Sequence, residues 1–372
     1  MTYAPSGIPF LRVQNLDNGL SLDRDVLFIS EDTHGAFARS QIQPRDVLLS
    51  IAGTIGRSAI VPDNASPLNC NQAVAIIRIN GPLERRFLRH WFQTHDAQEQ
   101  MRGAQVTATI SNLSLVQVRK LEVPLPPPEE QRRITAVLDQ SETLRAKRRS
   151  ALGKFDNLTR ACFRDLFGDS LSNAKKWNKT TVGEIAPFIS SGVTPLGGSS
   201  VYQSSGILFI RSQNVLMNAV DFSDAAFVSP ELHQQMKRSW VKKGDVLLNI
   251  TGASIGRVHY FSGEDDTANV NQHVCIIRAD QKRILPEFLA RFLSAPSYQA
   301  QIVGQNSGAT RQAFNFEQIR RFEVFLPPMD LQVRFAKQEA LVASLRDKYV
   351  ASLTKFDSLF ASLQHRAFRG EL

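Results

Sequence analysis

Leu125-Pro-Pro-Pro-Glu-Glu-Gln131 opens the longest periodic stretch of the chain, and Leu326-Pro-Pro-Met-Asp-Leu-Gln332 opens a second one. Proline fixes φ, has no amide hydrogen and disfavours helical geometry in the residue before it, so a helix begins only after each proline run. The sequence therefore predicts two helices, over about residues 129–167 and about residues 330–368. At 1.5 Å per residue, each would be roughly 55–60 Å long.

Apolar residues recur at steps of three and four along both predicted helices. Such spacing over about five heptads indicates a coiled-coil seam, although either helix alone would also fit an ordinary bundle. The predicted seam residues are Ile134, Leu138, Leu144, Leu152 and Phe155 in the first helix and Leu345, Tyr349, Leu353 and Phe356 in the second. Two matched helices at equivalent places favour a role as spacers.

The two helices belong to a repeat that covers the chain. Phe10-Leu-Arg-Val-Gln-Asn15 returns as Phe209-Ile-Arg-Ser-Gln-Asn214, at an offset of 199 residues. After one inserted residue, Asn69-Cys-Asn-Gln72 matches Asn269-Val-Asn-Gln272. The chain is therefore a globular domain, a long helix, a similar domain and a similar helix.

Each globular copy mixes strand and helix patterns, so the predicted fold class is α/β or α+β. The predicted globular and helical segments are, in chain order, 1–124, 125–169, 170–325 and 326–372. Short apolar runs that predict strands lie at 47–51, 74–79, 246–250 and 274–277. The stretches near 83–100 and 286–302 predict helices, and the polar stretches 103–114 and 304–315 predict loops.

The second copy carries a front section without a counterpart in the first. Residues 177–205, which contain Val182-Gly-Glu-Ile185, precede the region that the two copies share. At the offset of 199, the counterpart of Trp177 would lie before Met1. We therefore expect the first globular domain to be truncated at its front.

Composition sets broad limits on function. Hydrophobic residues make up 42% and charged residues 21%, which is ordinary for a globular protein. No apolar run approaches the 18 residues of a membrane span, and there is no signal-peptide core. Cys70, Cys162 and Cys275 lack CxxC spacing, which predicts reduced thiols and no metal site. The net charge of +9 favours a polyanionic partner.

No complete set of catalytic motifs is visible. The turns Gly53-Thr-Ile-Gly56 and Gly252-Ala-Ser-Ile-Gly256 fit either a phosphate cradle or a turn that ends a strand, and neither GxxxxGK[ST] nor GxGxxG is present. The Pro-Pro pairs lack the neighbours of a [DN]PP[YF] tetrapeptide, which a DNA adenine methyltransferase would need. His273, whose counterpart is Ala73, is interpreted as a structural or DNA-facing histidine.

In their order, these motifs resemble the DNA-specificity subunit of type I restriction–modification systems, over essentially the whole chain. The motifs that carry the resemblance are Gly244-Asp-Val-Leu-Leu-Asn-Ile-Thr-Gly252, Asn271-Gln272-His273, Leu125-Pro-Pro-Pro-Glu-Glu-Gln131, Leu166-Phe-Gly-Asp169 and Phe368-Arg-Gly-Glu-Leu372. Each motif is short, but their order, doubled at one offset, is specific. Asp330-Leu-Gln332 stands where the first proline motif has Glu129-Glu-Gln131, which is a mild divergence.

The resemblance implies two target-recognition domains, each of which reads half of a bipartite DNA site. It implies that the long helices form an antiparallel coiled coil that sets the gap and docks two modification subunits. No cofactor or metal is expected on this chain itself. S-adenosylmethionine, ATP and Mg are expected on the modification and restriction subunits, which methylate adenine N6 and cleave DNA. The predicted partners are double-stranded DNA and these subunits, with no membrane, in the cytoplasm.

The repeat gives its own argument about which residues read bases. An asymmetric site requires two domains that read different sequences, so residues identical in both copies are candidates for scaffold or phosphate contacts. These are Arg12, Arg57, Arg211, Arg257, Gln72 and Gln272. Base readers should lie where the copies differ, and arginine, asparagine and glutamine suit that role. The candidates are Gln105, Thr107, His34, Arg39, Asn306, Arg311, Lys237 and Arg238.

Two other classes of function compete with this interpretation. One is a stand-alone DNA methyltransferase or nuclease, which the missing motifs disfavour. The other is a structural protein whose coiled coil tethers two lectin-like or peptide-binding domains that do not act on DNA. A measurement of DNA binding distinguishes this structural protein from a DNA-specificity subunit.

Overall fold

The computed structural model describes residues 3–17, 19–23, 25–103, 112–305 and 313–372. It divides into two compact units. The first unit comprises Met1–Ser150 and Val350–Leu372, and the second comprises Ala151–Tyr349. Because this division cuts both long helices, the four segment limits proposed from the sequence stay a prediction.

The first unit is built on two small sheets and a layer of helices. One sheet has the strand order β2-β1-β6-β3, and the other has the order β5-β4-β7. Strand β1 runs parallel to β6, whereas the other pairs are antiparallel. The elements are β1 Ile8–Leu11, β2 Leu27–Ile29, α1 Glu31–Ala36, β3 Gln41–Ile42, β4 Val47–Ser50, β5 Ser58–Ile60, β6 Leu68–Cys70, β7 Val74–Ile77, α2 Arg85–Phe92, α3 His95–Gly103, α4 Leu115–Arg119 and α5 Pro128–Phe167.

The second unit repeats this plan and adds strands to it. Its sheets have the orders β13-β10-β17-β14 and β16-β15-β18-β9, with two-stranded ribbons β11-β12 and β19-β8. The elements are β8 Asn178–Thr181, α6 Val182–Ile185, β9 Phe188–Ser191, β10 Ile207–Ile210, β11 Val215–Leu216, β12 Ala219–Val220, β13 Ala226–Val228, α7 Pro230–Gln235, β14 Trp240–Val241, β15 Val246–Asn249, β16 Val258–Tyr260, β17 Ala268–Val270, β18 Val274–Arg278, α8 Pro286–Leu293, α9 Pro296–Gln305, α10 Phe316–Arg320, β19 Glu323–Leu326 and α11 Met329–Ala367.

The strands predicted from the sequence are confirmed, and the stretches predicted as single helices near 83–100 and 286–302 are each divided into two helices. The loops predicted at 103–114 and 304–315 lie mostly outside the described residues. The four predicted strands correspond to β4, β7, β15 and β18, and the mixed fold class is confirmed. The helix expected near 83–100 is two helices, because Thr94 interrupts it. The Thr94 hydroxyl donates to the Trp91 carbonyl at 2.7 Å and accepts from the Ala97 amide at 3.2 Å. It thus ends α2 and caps α3.

Helices α5 and α11 confirm the two long helices to within one residue at each end. Both begin at the proline runs, as expected from the missing amide hydrogen. No helix in the described ranges combines the length and apolarity needed to cross a bilayer.

A buried glutamine fastens the start of each long helix to its globular domain. The side-chain oxygen of Gln131 accepts from the backbone amide of Glu84 at 2.7 Å. Its side-chain nitrogen donates to the Pro126 and Pro82 carbonyls at 2.8 Å and 3.2 Å. Gln332 makes the same bonds, accepting from Leu285 at 2.8 Å and donating to the Pro327 and Arg283 carbonyls at 2.9 Å and 3.3 Å. The divergence between the two proline motifs therefore leaves their shared function untouched, since the glutamine is kept in both. We call this arrangement the glutamine latch.

Within each unit, the segments of the two long helices run antiparallel. In the first unit Arg145 of α5 donates to Asp357 of α11 at 2.5 Å. Arg133, which lies earlier in α5, donates to the carbonyl of Leu372, which follows the end of α11. In the second unit the Phe155 ring meets Tyr349 at 5.2 Å, and Phe163, later in α5, meets Phe335, earlier in α11, at 5.4 Å.

The predicted seam residues differ in burial. Ile134 and Leu138 are buried, and they pack with Phe87 of α2 as well as with Phe360 of α11. The partly buried members are Leu152, Phe155, Tyr349, Leu353 and Phe356. The seam prediction does not hold for Leu144 and Leu345, which are 44% and 39% exposed. The contact to α11 at this level is made by the next residue, Arg145, whose guanidinium lies 4.3 Å above the Phe360 ring.

Candidate nucleic-acid interface

The arginines that the copies share after β1 and β10 brace a loop. The Arg12 guanidinium donates to the Asp25 carbonyl at 2.8 Å, and the Arg12 amide donates to the side chain of Asn15 at 2.9 Å. Arg211 repeats this arrangement on the Asp224 carbonyl at 2.5 Å. These guanidinium groups are engaged within the protein, so scaffold describes Arg12 and Arg211 better than phosphate contact does.

A buried asparagine lies at the centre of a second shared network. Asn69 is fully buried, 3.3 Å from His34 Nδ1. In the second unit, the side-chain oxygen of Asn269 lies 2.5 Å from His233 Nδ1, and the His233 ring stacks on Trp240 with centroids 4.5 Å apart. His34 and His233 therefore occupy the same position in the repeat, so His34 does not lie where the copies differ, which was the ground for choosing it as a candidate base reader. His34 is half-buried, and its role in reading bases stays a prediction.

The same correction applies to the exposed cations after these helices. Ser30 and Ser229 each cap a six-residue helix, accepting a backbone hydrogen bond at 3.2 Å and 3.3 Å. Each helix leads into a short 3₁₀ turn, formed by residues 38–40 and 237–239. Arg39 and Arg238 are therefore counterparts, both exposed on these turns. Lys237, where the first copy has an alanine, is the position that differs.

The two glycine turns connect neighbouring strands of a sheet. Gly53 and Gly56 have φ of +69° and +90°, and Gly252 and Gly256 have φ of +71° and +85°, a region that glycine adopts without strain. The side chain of Ser50 fills the first turn, since it donates to the Thr54 carbonyl at 2.6 Å and accepts from the amide of residue 57 at 2.8 Å. The geometry is that of a turn ending a strand.

Arg57 lies beside the first glycine turn, in a basic cleft of the first unit. This cleft of about 670 Å³ is also lined by Arg89, Arg145 and Arg149. Arg57 is 3.8 Å from Asp17 and keeps a third of its side chain exposed. The cleft lies beside the middle of α5. Its other three guanidinium groups are also paired with carboxylates, Arg89 with Glu142 and both Arg145 and Arg149 with Asp357. Arg257, the counterpart of Arg57, is half-buried.

The two shared glutamines have different surroundings. Gln72 is exposed and lines a groove of about 440 Å³ together with Arg39. Gln272 is half-buried, with its amide nitrogen 2.9 Å from His273 Nε2. The other ring nitrogen of His273 is 2.6 Å from the hydroxyl of Thr251. The structure thus brings Gln72 and Arg39 together, whereas Arg57 lines a different cleft.

Four of the predicted base readers, Gln105, Thr107, Asn306 and Arg311, lie outside the described residues.

One cluster of the first unit has the composition of a metal site but is already neutralised. His90 Nε2 is 2.7 Å from Asp139, and Arg89 forms two hydrogen bonds to Glu142 at 2.8 Å and 3.2 Å. Burial alone would raise the pKa of Asp139, but the bond with His90 and the nearby Arg86 lower it overall. The cluster therefore joins α2 to α5. Arg291 does the same in the second unit through Glu339 at 2.8 Å.

Both globular regions of the chain match one known protein family. Residues 2–152 and 174–338 match the family model of the type I restriction modification DNA specificity domain. The chain belongs to this DNA specificity family. It is similar to the EcoBI specificity subunit of Escherichia coli, with 25% identity, covering 98% of this chain and 80% of that one. The EcoKI specificity subunit, also from Escherichia coli, is 24% identical, covering 98% and 82%.

The fold of this specificity-family chain is also that of a solved structure. The S subunit of a type I restriction–modification system from M. genitalium aligns with a TM-score of 0.56 and 15% identity, over 98% of this chain and 90% of that one. As a family member, the chain is a DNA-sequence-specificity subunit, and the two matched stretches correspond to its two globular regions.

Sequence reasoning missed two features of this specificity-family chain. The first is the histidine–asparagine network, which Ser30-Glu-Asp-Thr-His34 and Ser229-Pro-Glu-Leu-His233 could have indicated, since they lie at the repeat's own offset. The second is the glutamine latch, for which the glutamine common to both proline motifs was a signal. The partners of each glutamine in the globular domain, however, lie almost fifty residues earlier and follow no local pattern.

Proposed function

We propose that each globular unit reads one half of a bipartite DNA site, and that the chain contributes recognition and assembly while partner subunits contribute catalysis. The observation that carries this proposal is one framework used twice with different exposed residues. The latch, the asparagine network and the arginine brace recur in both units, whereas Lys237 stands on the turn where the first unit has Ala38. A repeated scaffold with variable surface side chains suits two related domains that bind different base sequences.

The partners follow from the same proposal. Two modification subunits would dock on this chain, bind S-adenosylmethionine and methylate adenine N6, and restriction subunits would supply ATP- and Mg-dependent translocation and cleavage. The complex would act on double-stranded DNA in the cytoplasm. The net charge of +9 supports a polyanionic ligand.

Replacement of one domain tests the assignment of half-sites. A chimera in which residues 177–325 come from a relative with a different specificity should change one half of the methylated sequence and leave the other half intact, because each unit has its own scaffold. Sequencing of methylated adenines in DNA exposed to the chimera and its modification partner provides the measurement. Its control replaces the same residues with those of a relative of identical specificity. A change in both halves, or in neither, would contradict the proposal.

The division of labour has a separate test. The purified chain should transfer no methyl group and hydrolyse no ATP, and addition of a cognate modification subunit should produce adenine methylation. The reason is that the sequence carries neither a cofactor loop nor a [DN]PP[YF] tetrapeptide. Transfer of tritiated methyl groups to DNA, assayed with each component alone and together, measures this. Robust transfer by the isolated chain would overturn the non-catalytic assignment.

A further inference from the structure

In the second unit, the turn between β17 and β18 holds Gln272 on a fixed backbone. The backbone amide of the next residue, His273, donates to the side-chain oxygen of Asn271 at 3.1 Å. The carbonyl of His273 accepts from the amide of Ile250, which follows β15, at 3.0 Å. Because both backbone groups of its neighbour are bonded, the glutamine side chain leaves the turn from a defined point.

The first unit has the same turn with different side chains beside it. Ala73 makes the same two backbone bonds, at 3.2 Å and 2.8 Å, and Gln72 occupies the middle of the turn. The counterparts of Thr251 and His273, however, are Ala52 and Ala73. The two units therefore share the glutamine and its backbone but differ in two polar side chains around it.

In the second unit these two side chains form a hydrogen-bonded chain that ends on Gln272. The side-chain nitrogen of Gln272 lies 2.9 Å from His273 Nε2, and His273 Nδ1 lies 2.6 Å from the hydroxyl of Thr251. An amide nitrogen only donates, so Nε2 accepts, and the ring carries its hydrogen on Nδ1 and donates it to Thr251. The hydroxyl is available for this bond because it does not cap the 3₁₀ turn that follows.

The chain of bonds leaves one face of the Gln272 amide unused. Among the described residues, its side-chain oxygen has no hydrogen-bond partner, and the oxygen is accessible to solvent. One hydrogen of the side-chain nitrogen points to His273, so the other is also left for a ligand. An oxygen acceptor beside an N–H donor on one planar amide matches N6 and N7 of adenine in the major groove. Because His273 already holds the amide, Gln272 loses less conformational entropy on binding.

The turn lies beside residues that the function proposed above would bring to DNA. Ala313, two residues after the candidate base reader Arg311, forms a β-bridge with Thr251. The 3₁₀ turn that carries the exposed Arg238 is bonded to the side chain of Asn269 at 2.8 Å, shortly before the glutamine in the chain. The unused face of the amide is therefore close to two other candidate DNA contacts.

We propose that Gln272 reads an adenine in the half-site of the second unit, and that His273 and Thr251 are the positioning residues that hold its amide for this contact. The inference rests on the proposed function of the chain in DNA recognition. Identity between the copies favoured a scaffold or phosphate contact for Gln72 and Gln272. One residue type serves two roles here, because only the second unit has the pair of side chains that orients it.

The test uses this chain assembled with its cognate modification subunit and a DNA library randomised over both half-sites. Sequencing of the methylated molecules gives the base preference at each position. Gln272→Ala should reduce the preference for adenine at one position of one half-site by about ten-fold or more, because a bidentate contact is lost. Unchanged preferences in a complex that still methylates one bipartite sequence would overturn the inference and leave the proposed function standing. If the wild-type complex methylated no bipartite sequence, both would fail.

The positioning role of His273 has its own readout. His273→Ala should weaken the preference for adenine at the same position as Gln272→Ala does. His273→Gln should restore it, since the side-chain oxygen of a glutamine can accept where Nε2 accepts. Thr251→Val, which removes the partner of Nδ1, should act in the same direction as His273→Ala. A uniform loss of methylation on all sequences, with base preferences kept, would show a merely structural role and contradict the assignment.

A shape-conserving variant decides the matter if Gln272→Ala lowers the thermal midpoint. In Gln272→Glu the carboxylate only accepts, so the preference at this position should move from adenine towards cytosine, whose N4 donates. Retention of adenine would count against the contact.

Gln72→Ala in the first unit is the matched control. It should change the base preference at no position, because the first unit lacks the orienting pair. A relaxed position in the other half-site would show that the shared glutamine reads bases without the pair, and the positioning role would then be refuted.

Discussion

Residues shared by the two copies hold in place the turns that carry the proposed DNA-contacting residues. Asn69 and Asn269 are both fully buried, and each donates to the carbonyl of the residue just before the exposed 3₁₀ turn, Phe37 at 3.4 Å and Met236 at 3.1 Å. An unsatisfied buried amide would be costly, so the turn is held in place. The exposed residues on it can then vary without loss of the fold.

Arg238 and Lys237 test this separation on one turn. Arg238, shared with Arg39, is expected to contact phosphate, so Arg238→Ala should weaken binding to all sequences about equally and reduce the salt slope by about one. Lys237→Ala should alter the base preference of one half-site, because this position differs between the copies. Affinities of the assembled methyltransferase for a randomised site library, measured at several salt concentrations, decide between these outcomes. A relaxed base preference in Arg238→Ala would contradict the assignment.

At the scale of elements, the sequence indicates where a helix starts better than where it is interrupted or which neighbour covers its apolar side. The proline runs locate α5 and α11 to within one residue because proline acts locally through its own ring. The break at Thr94 escaped prediction, since Thr94 interrupts a pattern that is otherwise periodic. Exposed Leu144 and Leu345 escaped it too, because periodicity records the apolar side of a helix and not whether a neighbour covers it.

The glutamine latch yields a prediction at this scale. Gln332→Leu keeps the volume of the side chain but leaves the Leu285 amide and two carbonyls without their partner. We expect a loss of about 1–3 kcal/mol, seen as faster amide exchange at the start of α11 and in α8, with β7 unaffected. Gln234→Leu, at an exposed site of the same unit, is the matched control. Equal exchange in both variants would show that the latch contributes nothing.

At the scale of the whole molecule, the long helices are proposed to set the gap between half-sites. Duplication of Ser150–Gly153 in α5 together with Ala351–Thr354 in α11 adds four residues to each helix, about 6 Å. At roughly 3.4 Å per base pair, the preferred spacer should lengthen by about one or two base pairs, since local unwinding of the coiled coil absorbs part of the change. The bases of each half-site should not change.

Methylation of a library with randomised spacer length, in the presence of the modification subunit, measures the preferred gap. The control exchanges the six residues of these two segments that are not already alanine for alanine, which keeps the helix length. If the longer protein is fully active and its spacer preference is unaltered, something other than these helices sets the distance.

Because of the glutamine latch, the number of residues in a long helix sets the direction in which its domain faces as well as the distance to that domain. Because each domain is fastened to the first turn of its helix, every added residue turns that domain by about 100° about the helix axis relative to the far end. Four residues return it to within about 40° of its starting direction and seven to within about 20°, whereas two would aim it almost backwards. We therefore expect the long helices to tolerate only certain changes in length. A change in the DNA gap through helix length should then occur in discrete steps that keep each domain facing in nearly the same direction.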